Sequence, residues 1–129
     1  QLSSAFYGLI ETGLSTSRAD YDAALAARDA GEAALAKLLS SYDAIMTPAA
    51  PSGAPAGIEA TGDPLFSRLW TVMRVPTVTL PFGRDTANLP LAFQLVGRFG
   101  ADQTLLAHSR VIADHLQISC EIPKLQPHP

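Results

Sequence analysis

The residues of this chain that could do acid–base or nucleophilic chemistry are a lysine, neighbouring serines and two histidines. Ser40 and Ser41 follow Lys37, and a basic lysine beside a serine can activate the hydroxyl as a nucleophile. They lie where a predicted helix gives way to a strand, and serines commonly end helices, so we expect no catalytic pair there. His108 and His115 are seven residues apart in a predicted helix, whereas paired metal ligands on a helix need closer spacing. We therefore predict no catalytic residue, metal ligand or cofactor, and keep a hydrolase that uses either histidine with a local serine as an alternative.

A second group of candidates, between positions 61 and 70, could contact a small ligand. Thr61 and Gly62 could approach it with backbone groups, and the Asp63 carboxylate could face an amine. Phe66 and Trp70 could line an apolar pocket. Each has a structural alternative: a plain turn at 61–62, a helix cap at Asp63, and core packing for the two aromatic residues.

Composition excludes several classes of partner. Hydrophobic residues make up 47% and charged residues 16% of the 129-residue chain, which suits the core of one domain. The net charge is −3 and no Lys/Arg cluster offsets it, so we expect no nucleic-acid partner. No apolar run approaches the roughly 20 residues of a membrane span, so we expect no membrane partner. With Cys120 as the single cysteine an internal disulfide is impossible, and a cytoplasmic location is the default expectation. The chain begins at Gln1 rather than Met, so we expect that its true N-terminus lies upstream.

Apolar periodicity and turn residues predict four helices and three strands that would position these candidates. Ser17, Asp63 and Asp102 are the predicted caps of the last three helices. The segment 48–62 is rich in proline and glycine, which favours an ordered or a mobile loop over a helix or strand. The predicted helices span 3–12, 18–39, 63–74 and 102–116, and the predicted strands span 44–46, 77–80 and 91–96.

The long helix 18–39 has a stripe of mostly small residues at steps of three and four, which we predict to face inward. Arg28 and Glu32 lie four apart on the opposite, solvated side. The predicted inward stripe is Ala24, Ala27, Gly31, Ala34 and Leu38.

The strand at 91–96 is apolar on both faces except for Gln94, which indicates a central strand covered on each side. We expect the Gln94 side chain to satisfy polar groups between the sheet and a helix. The strand would form an antiparallel hairpin with 77–80. The chain supplies few strands to flank these two, so further strands are expected elsewhere.

The ordered set of proline- and glycine-bounded segments resembles the C-terminal part of the amidase signature family of amide hydrolases. The matching segments are M-T-P at 46–48, V-P-x-x-x-x-P-x-G at 75–83 and L-P-x-x-x-Q-L-V-G at 89–97. The resemblance covers roughly residues 3–116 and implies an α/β fold, with helices packed on strands of a mixed sheet. It divides the chain into a family portion at 1–116 and a C-terminal tail at 117–129.

The resemblance also implies a function, with one important departure. The family hydrolyses carboxamides to a carboxylate and ammonia or an amine, through an acyl-serine formed by a Ser–Ser–Lys group. The Gly/Ser-rich segment and upstream lysine of that group do not occur in this sequence, so we expect the chain alone to be inactive. Its implied roles are sheet completion and a wall of the amide-binding pocket. The residues implied to bind substrate are Thr61, Gly62, Asp63, Phe66 and Trp70.

The implied partners are a small-molecule amide and either the remainder of the polypeptide or a second copy of the chain. A different class of protein stays open: a non-catalytic binding or regulatory module that associates with a partner chain. Intact mass discriminates between these hypotheses. A product several times heavier favours the enzyme, whereas a native product of 129 residues favours the module.

Overall fold

The computed structural model describes residues 3–59 and 61–118. Within this part of the chain the elements follow the predicted order of helices and strands. The predicted tail lies almost entirely outside the described residues, together with Cys120. The elements are α1 (Ser4–Ser15), α2 (Arg18–Leu39), β1 (Ile45–Pro48), α3 (Leu65–Val72), β2 (Thr77–Arg84), β3 (Pro90–Val96) and α4 (Asp102–His115).

The three described strands form one sheet in the order β1-β3-β2, and both strand pairs are antiparallel. The central position of β3 and its hairpin with β2 confirm the predictions from its apolar sequence. These strands show none of the parallel pairing that a mixed sheet also contains. β2 continues past its predicted end at Leu80 to Arg84, because an irregularity between Pro81 and Gly83 restores the pairing. A proline is tolerated there since β2 is an edge strand of the described sheet.

Helix α4 covers one face of the sheet and forms the core with it. Leu105 of α4 packs in a cluster with residues of β2 and β3, and Ile112 adds a partly buried contact. Gly97, directly after β3, permits the close approach, since a Cβ there would lie 3.1 Å from the Leu105 side chain. The buried cluster consists of Leu80, Phe93, Leu95 and Leu105.

The predicted inward stripe of α2 is wrong by one residue. Leu39 is 1% exposed and Leu35 is also buried, whereas the predicted Leu38 is 47% exposed. Arg28 and Glu32 lie half-buried on the inward side rather than in solvent. The helix takes this orientation because two leucines bury more apolar area than a row of alanines. Of the predicted stripe, Ala24, Ala27 and Ala34 are exposed and Gly31 is half-buried.

The helix caps confirm one prediction and correct two. Ser17 caps α2, since its hydroxyl accepts a hydrogen bond from the Asp20 backbone N–H at 3.1 Å. Asp63 does not cap α3: Pro64 is the N-cap, with ψ of 22°, and α3 has no side-chain cap. Asp102 is likewise the first residue of α4 rather than its cap. A carboxylate there still interacts favourably with the positive end of the helix dipole.

Large apolar side chains remain exposed on several elements. Helix α1, which runs through Gly13 to Ser15 and not only to the predicted residue 12, exposes Phe6, Leu9 and Leu14. Exposed apolar patches of this kind commonly mark interaction surfaces. Among the described residues, no helix is both long and apolar enough to cross a membrane.

Candidate functional site

The candidate site is built around the connection between β1 and α3, residues 49–64, which we call the β1–α3 loop. Ala60 is the one residue of this loop outside the described part of the chain. The loop leaves β1 along the sheet, where the Ala49 backbone N–H donates to the Ala92 carbonyl at 3.0 Å. Its proline and glycine content prevents a regular element, so tertiary contacts must define its course.

The side chain of Gln94 joins the two ends of the loop. Its amide nitrogen Nε2 donates to the Pro48 carbonyl at 3.2 Å and to the Phe66 carbonyl at 2.8 Å. These carbonyls belong to the last residue of β1 and the first turn of α3. The contacts confirm that Gln94 satisfies polar groups between the sheet and a helix.

A close contact with the β2–β3 turn holds the middle of the loop. The Asp85 carboxylate organises that turn, because Oδ1 accepts hydrogen bonds from the Ala87 and Leu89 backbone N–H groups, each at 2.9 Å. Its other oxygen, Oδ2, faces the buried Gly53 so closely that a Cβ on Gly53 would overlap it. Glycine is therefore required at position 53 for the loop to lie against the turn.

The loop and the start of β3 enclose a depression of about 270 Å³. Thr61, Gly62 and Asp63 all contribute to its wall, so the structure brings these three candidates together. Gly62 has φ of +93°, a conformation that favours glycine. Asp63 is exposed and caps no helix, so its carboxylate can meet a donor or a cation. The remaining lining residues are Ala49, Ala50, Pro51, Ser52, Gly53, Ala54, Pro55, Pro90, Leu91 and Ala92.

Phe66 and Trp70 lie on α3, half-buried and outside the lining of this depression. Phe66 contributes its backbone carbonyl to the Gln94 contact. The Trp70 indole Nε1 is enclosed and has no hydrogen-bond partner within residues 3–59 and 61–118. Buried tryptophan N–H groups usually find an acceptor, so an acceptor from another segment would complete this environment.

An ion pair holds the end of α3 that is distant from Gln94. The Arg74 guanidinium Nη2 lies 2.9 Å from both carboxylate oxygens of Glu32 on α2. The hydrogen bond to Glu32 and its charge raise the pKa of Arg74, so the guanidinium stays protonated. Arg74 has a φ of +57°, an uncommon value for a residue other than glycine. Together, Gln94 and Arg74 fix both ends of α3.

The serine–lysine and histidine candidates do not form a catalytic group in the described residues. The Ser40 hydroxyl donates to the backbone carbonyl of Lys37 at 2.7 Å, which ends α2 as expected. His108 is half-buried as predicted, and its enclosed Nδ1 has no hydrogen-bond partner in the described part of the chain. His115 is exposed in the last turn of α4. Residues 3–59 and 61–118 hold no group of three or more His, Cys, Asp or Glu side chains arranged to bind a metal ion.

The sequence did not identify Gly53, Asp85 or the lining at 90–92. Asp85 carries a signal, since an aspartate at the start of a polar turn often bonds the backbone two residues on. Gly53 carries none, because its partner lies 32 positions away in the chain.

Comparison with known proteins agrees with the fold and the sequence. The model of the Amidase family matches residues 6–106. A glutamyl-tRNA(Gln) amidotransferase subunit from Gluconobacter oxydans is 35% identical over 83 residues, which cover 59% of this chain and 17% of that protein. The protein of the same name from Granulibacter bethesdensis is 38% identical over 96 residues, covering 69% of this chain and 18% of that protein.

Solved structures give the same result. A crystal structure of an amidase has a TM-score of 0.77 and 28% identity, over 88% of this chain and 29% of the amidase. The glutamyl-tRNA(Gln) amidotransferase subunit of the same name from Thermotoga maritima has a TM-score of 0.68 and 29% identity, over 85% of this chain and 25% of its own. The chain thus spans less than a fifth of the two curated relatives. Since the family model covers most of the described residues, the chain belongs to the amidase family.

Proposed function

We propose that the chain is the C-terminal part of an amidase-signature hydrolase and forms a wall of its amide-binding pocket. The observation that carries the proposal is the family match over residues 6–106 in a chain that contains an ordered loop around a depression. The relatives are several times longer, which leaves room elsewhere for the catalytic serine, its partner serine and the lysine.

The proposed reaction proceeds in two steps on that catalytic group. The serine oxygen attacks the amide carbon, and ammonia or an amine leaves with a proton to give an acyl ester. Water then hydrolyses the ester to the carboxylate and regenerates the serine. The described residues contribute no reacting group to either step. They contribute orientation, since a substrate held in one position reacts far faster than one that is free to rotate.

The wall formed by the loop has a defined chemical character. Alanine and proline side chains supply small apolar surfaces, while Thr61 and the Asp63 carboxylate supply polar groups at one side. Such a wall suits a small amide with an amine or hydroxyl group beyond the reacting carbonyl. Thr61, Gly62 and Asp63 would therefore contact the part of the substrate that varies between amides.

The proposal includes the partners and the location. The remainder of the amidase polypeptide would cover the apolar surface of α1 and supply strands that pair with the outer edges of β1 and β2. Exposed side chains such as Phe6 and Leu14 support this arrangement. A cytoplasmic location remains part of the proposal, on the basis of the single cysteine.

The test uses the full polypeptide that carries both the catalytic group and this chain. In Asp63→Asn, KM for an amide with a cationic amine should rise roughly fivefold, as for the loss of a solvent-exposed ion pair. KM for an uncharged amide of similar size should not change. Asp114→Asn is the matched control, since Asp114 is an exposed aspartate on α4. Equal effects of the two substitutions on the two substrates would remove Asp63 from the site.

The substrate panel should contain aliphatic amides, aromatic amides and glutamine. Glutamine is included because the two curated relatives carry the name of an amidotransferase subunit. Absence of ammonia release from every amide by the full polypeptide would contradict the proposed function itself.

A further inference from the structure

We propose that Gln94 is a positioning residue whose amide group closes the β1–α3 loop and thereby sets the substrate preference of the pocket. The inference rests on the proposed function, because it assumes that the loop contacts substrate. No reacting atom is assigned to Gln94. Its role would be to fix the loop that carries Thr61, Gly62 and Asp63.

Gln94 is placed to do this by its position in the sheet. It lies in the central strand β3, opposite Thr47 of β1 and Thr79 of β2, and is only 3% exposed. An amide buried in an apolar strand is costly unless both N–H groups find acceptors. Both acceptors belong to the boundaries of one loop, so the burial of this amide is linked to closure of that loop.

The start of α3 has no other side chain to hold it. Pro64 is its N-cap and has no N–H, and no side chain caps the helix. The hydrogen bond from Gln94 to the Phe66 carbonyl therefore anchors the first turn of α3 to the sheet. Since Asp63 directly precedes Pro64, movement of this turn would move the carboxylate that faces the depression.

Gly53 provides an independent way to disturb the same loop. A Cβ on Gly53 would overlap the Asp85 carboxylate, so Gly53→Ala must displace the loop from the β2–β3 turn. This substitution leaves β3 unchanged. If the loop sets substrate preference, Gly53→Ala and the Gln94 variants should alter it together.

Two variants of Gln94 remove the donors in different ways. Gln94→Glu keeps the length of the side chain but places an oxygen against two carbonyl oxygens. Gln94→Met keeps a similar shape and removes the hydrogen-bonding groups, which avoids a buried charge.

Each variant has a matched control away from the loop. Ser109→Ala removes a buried polar group that is 4% exposed and donates to the Leu105 carbonyl within α4. Gly97→Ala adds a methyl group at another crowded glycine, where a Cβ would lie 3.1 Å from Leu105.

The first measurement is hydrogen exchange of the loop amides in the full polypeptide. Peptides that span residues 49–63 should exchange roughly tenfold faster in Gln94→Met and Gly53→Ala than in the unmodified protein, since loop opening becomes easier. The same peptides should be unchanged in Ser109→Ala and Gly97→Ala. Unchanged exchange of the loop in both Gln94 variants would overturn the proposal.

The second measurement is the ratio of KM values for a bulky and a small amide. This ratio should change by roughly tenfold in Gln94→Met and Gly53→Ala, with kcat for the small amide within about twofold of the unmodified enzyme. A purely structural role would lower the amount of active enzyme and leave the KM ratio unchanged. Faster loop exchange with an unchanged KM ratio would contradict the proposed substrate contact, while closure of the loop by Gln94 would stand. Should Gln94→Glu fail to fold, Gln94→Met and Gly53→Ala still decide both points.

Discussion

Substituting alanine separately for Leu38 and Leu39 tests how α2 is oriented on the fold. Leu39 is 1% exposed, and removing a leucine side chain from such an enclosed site costs about 3 kcal/mol of unfolding free energy. Leu38 is 47% exposed, so its loss removes only part of the transfer free energy and leaves no closed cavity, which costs about 1 kcal/mol. The backbone contact at this site is kept in both variants, since the Leu39 carbonyl accepts a hydrogen bond from Arg98 Nε at 2.9 Å.

Urea unfolding followed by fluorescence measures the difference directly, because Trp70 is the single tryptophan of the chain. For a denaturant dependence of about 1–2 kcal/mol per molar urea, the Leu39→Ala midpoint should lie roughly 1–2 M below that of Leu38→Ala. Equal midpoints, or a lower midpoint for Leu38→Ala, would show that the orientation predicted by simple periodicity is correct. The structural assignment of the buried face would then be wrong.

Three further predictions concern catalysis, association and the aromatic residues of α3. The 129-residue chain alone should release no ammonia from simple amides, and activity abolished by mutating one local serine or histidine would contradict this. At low micromolar concentration the chain should associate with itself or a partner, and light scattering from a stable monomer that unfolds cooperatively would show a self-sufficient domain. Phe66→Ala and Trp70→Ala should change substrate preference in the full enzyme more than they change folding. A loss of roughly 3–5 kcal/mol of stability with an unchanged preference would assign both residues to the core.

The strand arrangement could be predicted because its signal is local. The continuous apolar run of β3 indicates burial on both faces, and Gly97 marks the point where α4 approaches it. Gln94, the one polar residue of that run, could be assigned a role for the same reason. An amide at a buried position needs partners wherever they come from. The sequence did not reveal which carbonyl groups would supply them.

The orientation of α2 could not be predicted, since it depends on a distant residue. Successive residues on a helix are separated by about 100°, so a register error of one position exchanges an inward stripe for its neighbour. The correct stripe contains Arg28 and Glu32, which local reasoning assigns to solvent. Glu32 lies half-buried because it pairs with Arg74, 42 positions further along the chain. That pairing changes the preferred face of the helix, and no local pattern contains it.

Asp63 shows a similar limit at the site itself. An Asp-Pro pair before an apolar stretch predicts a capped helix, but the sequence does not specify whether aspartate or proline is the last non-helical residue. Pro64 takes that position, with φ of −78° and ψ of 22°, and Asp63 is left one residue outside the helix. The carboxylate is thereby released from a structural role and lies at the wall of the depression. A one-residue difference thus changes Asp63 from a cap into a candidate ligand-binding group.

The described residues divide into a part that is held by its own contacts and a part that is not. The β1–α3 loop belongs to the first, since Gln94, the sheet and the Asp85 carboxylate all contact it. Helix α1 and the Trp70 indole N–H belong to the second, since one exposes its apolar side chains and the other has no acceptor in the described residues. If the remainder of an amidase completes the second part, its binding should protect α1 and Trp70 far more than the loop. Hydrogen exchange and Trp70 fluorescence, compared between the isolated chain and the full polypeptide, would show this difference, whereas uniform protection of every element would contradict the division.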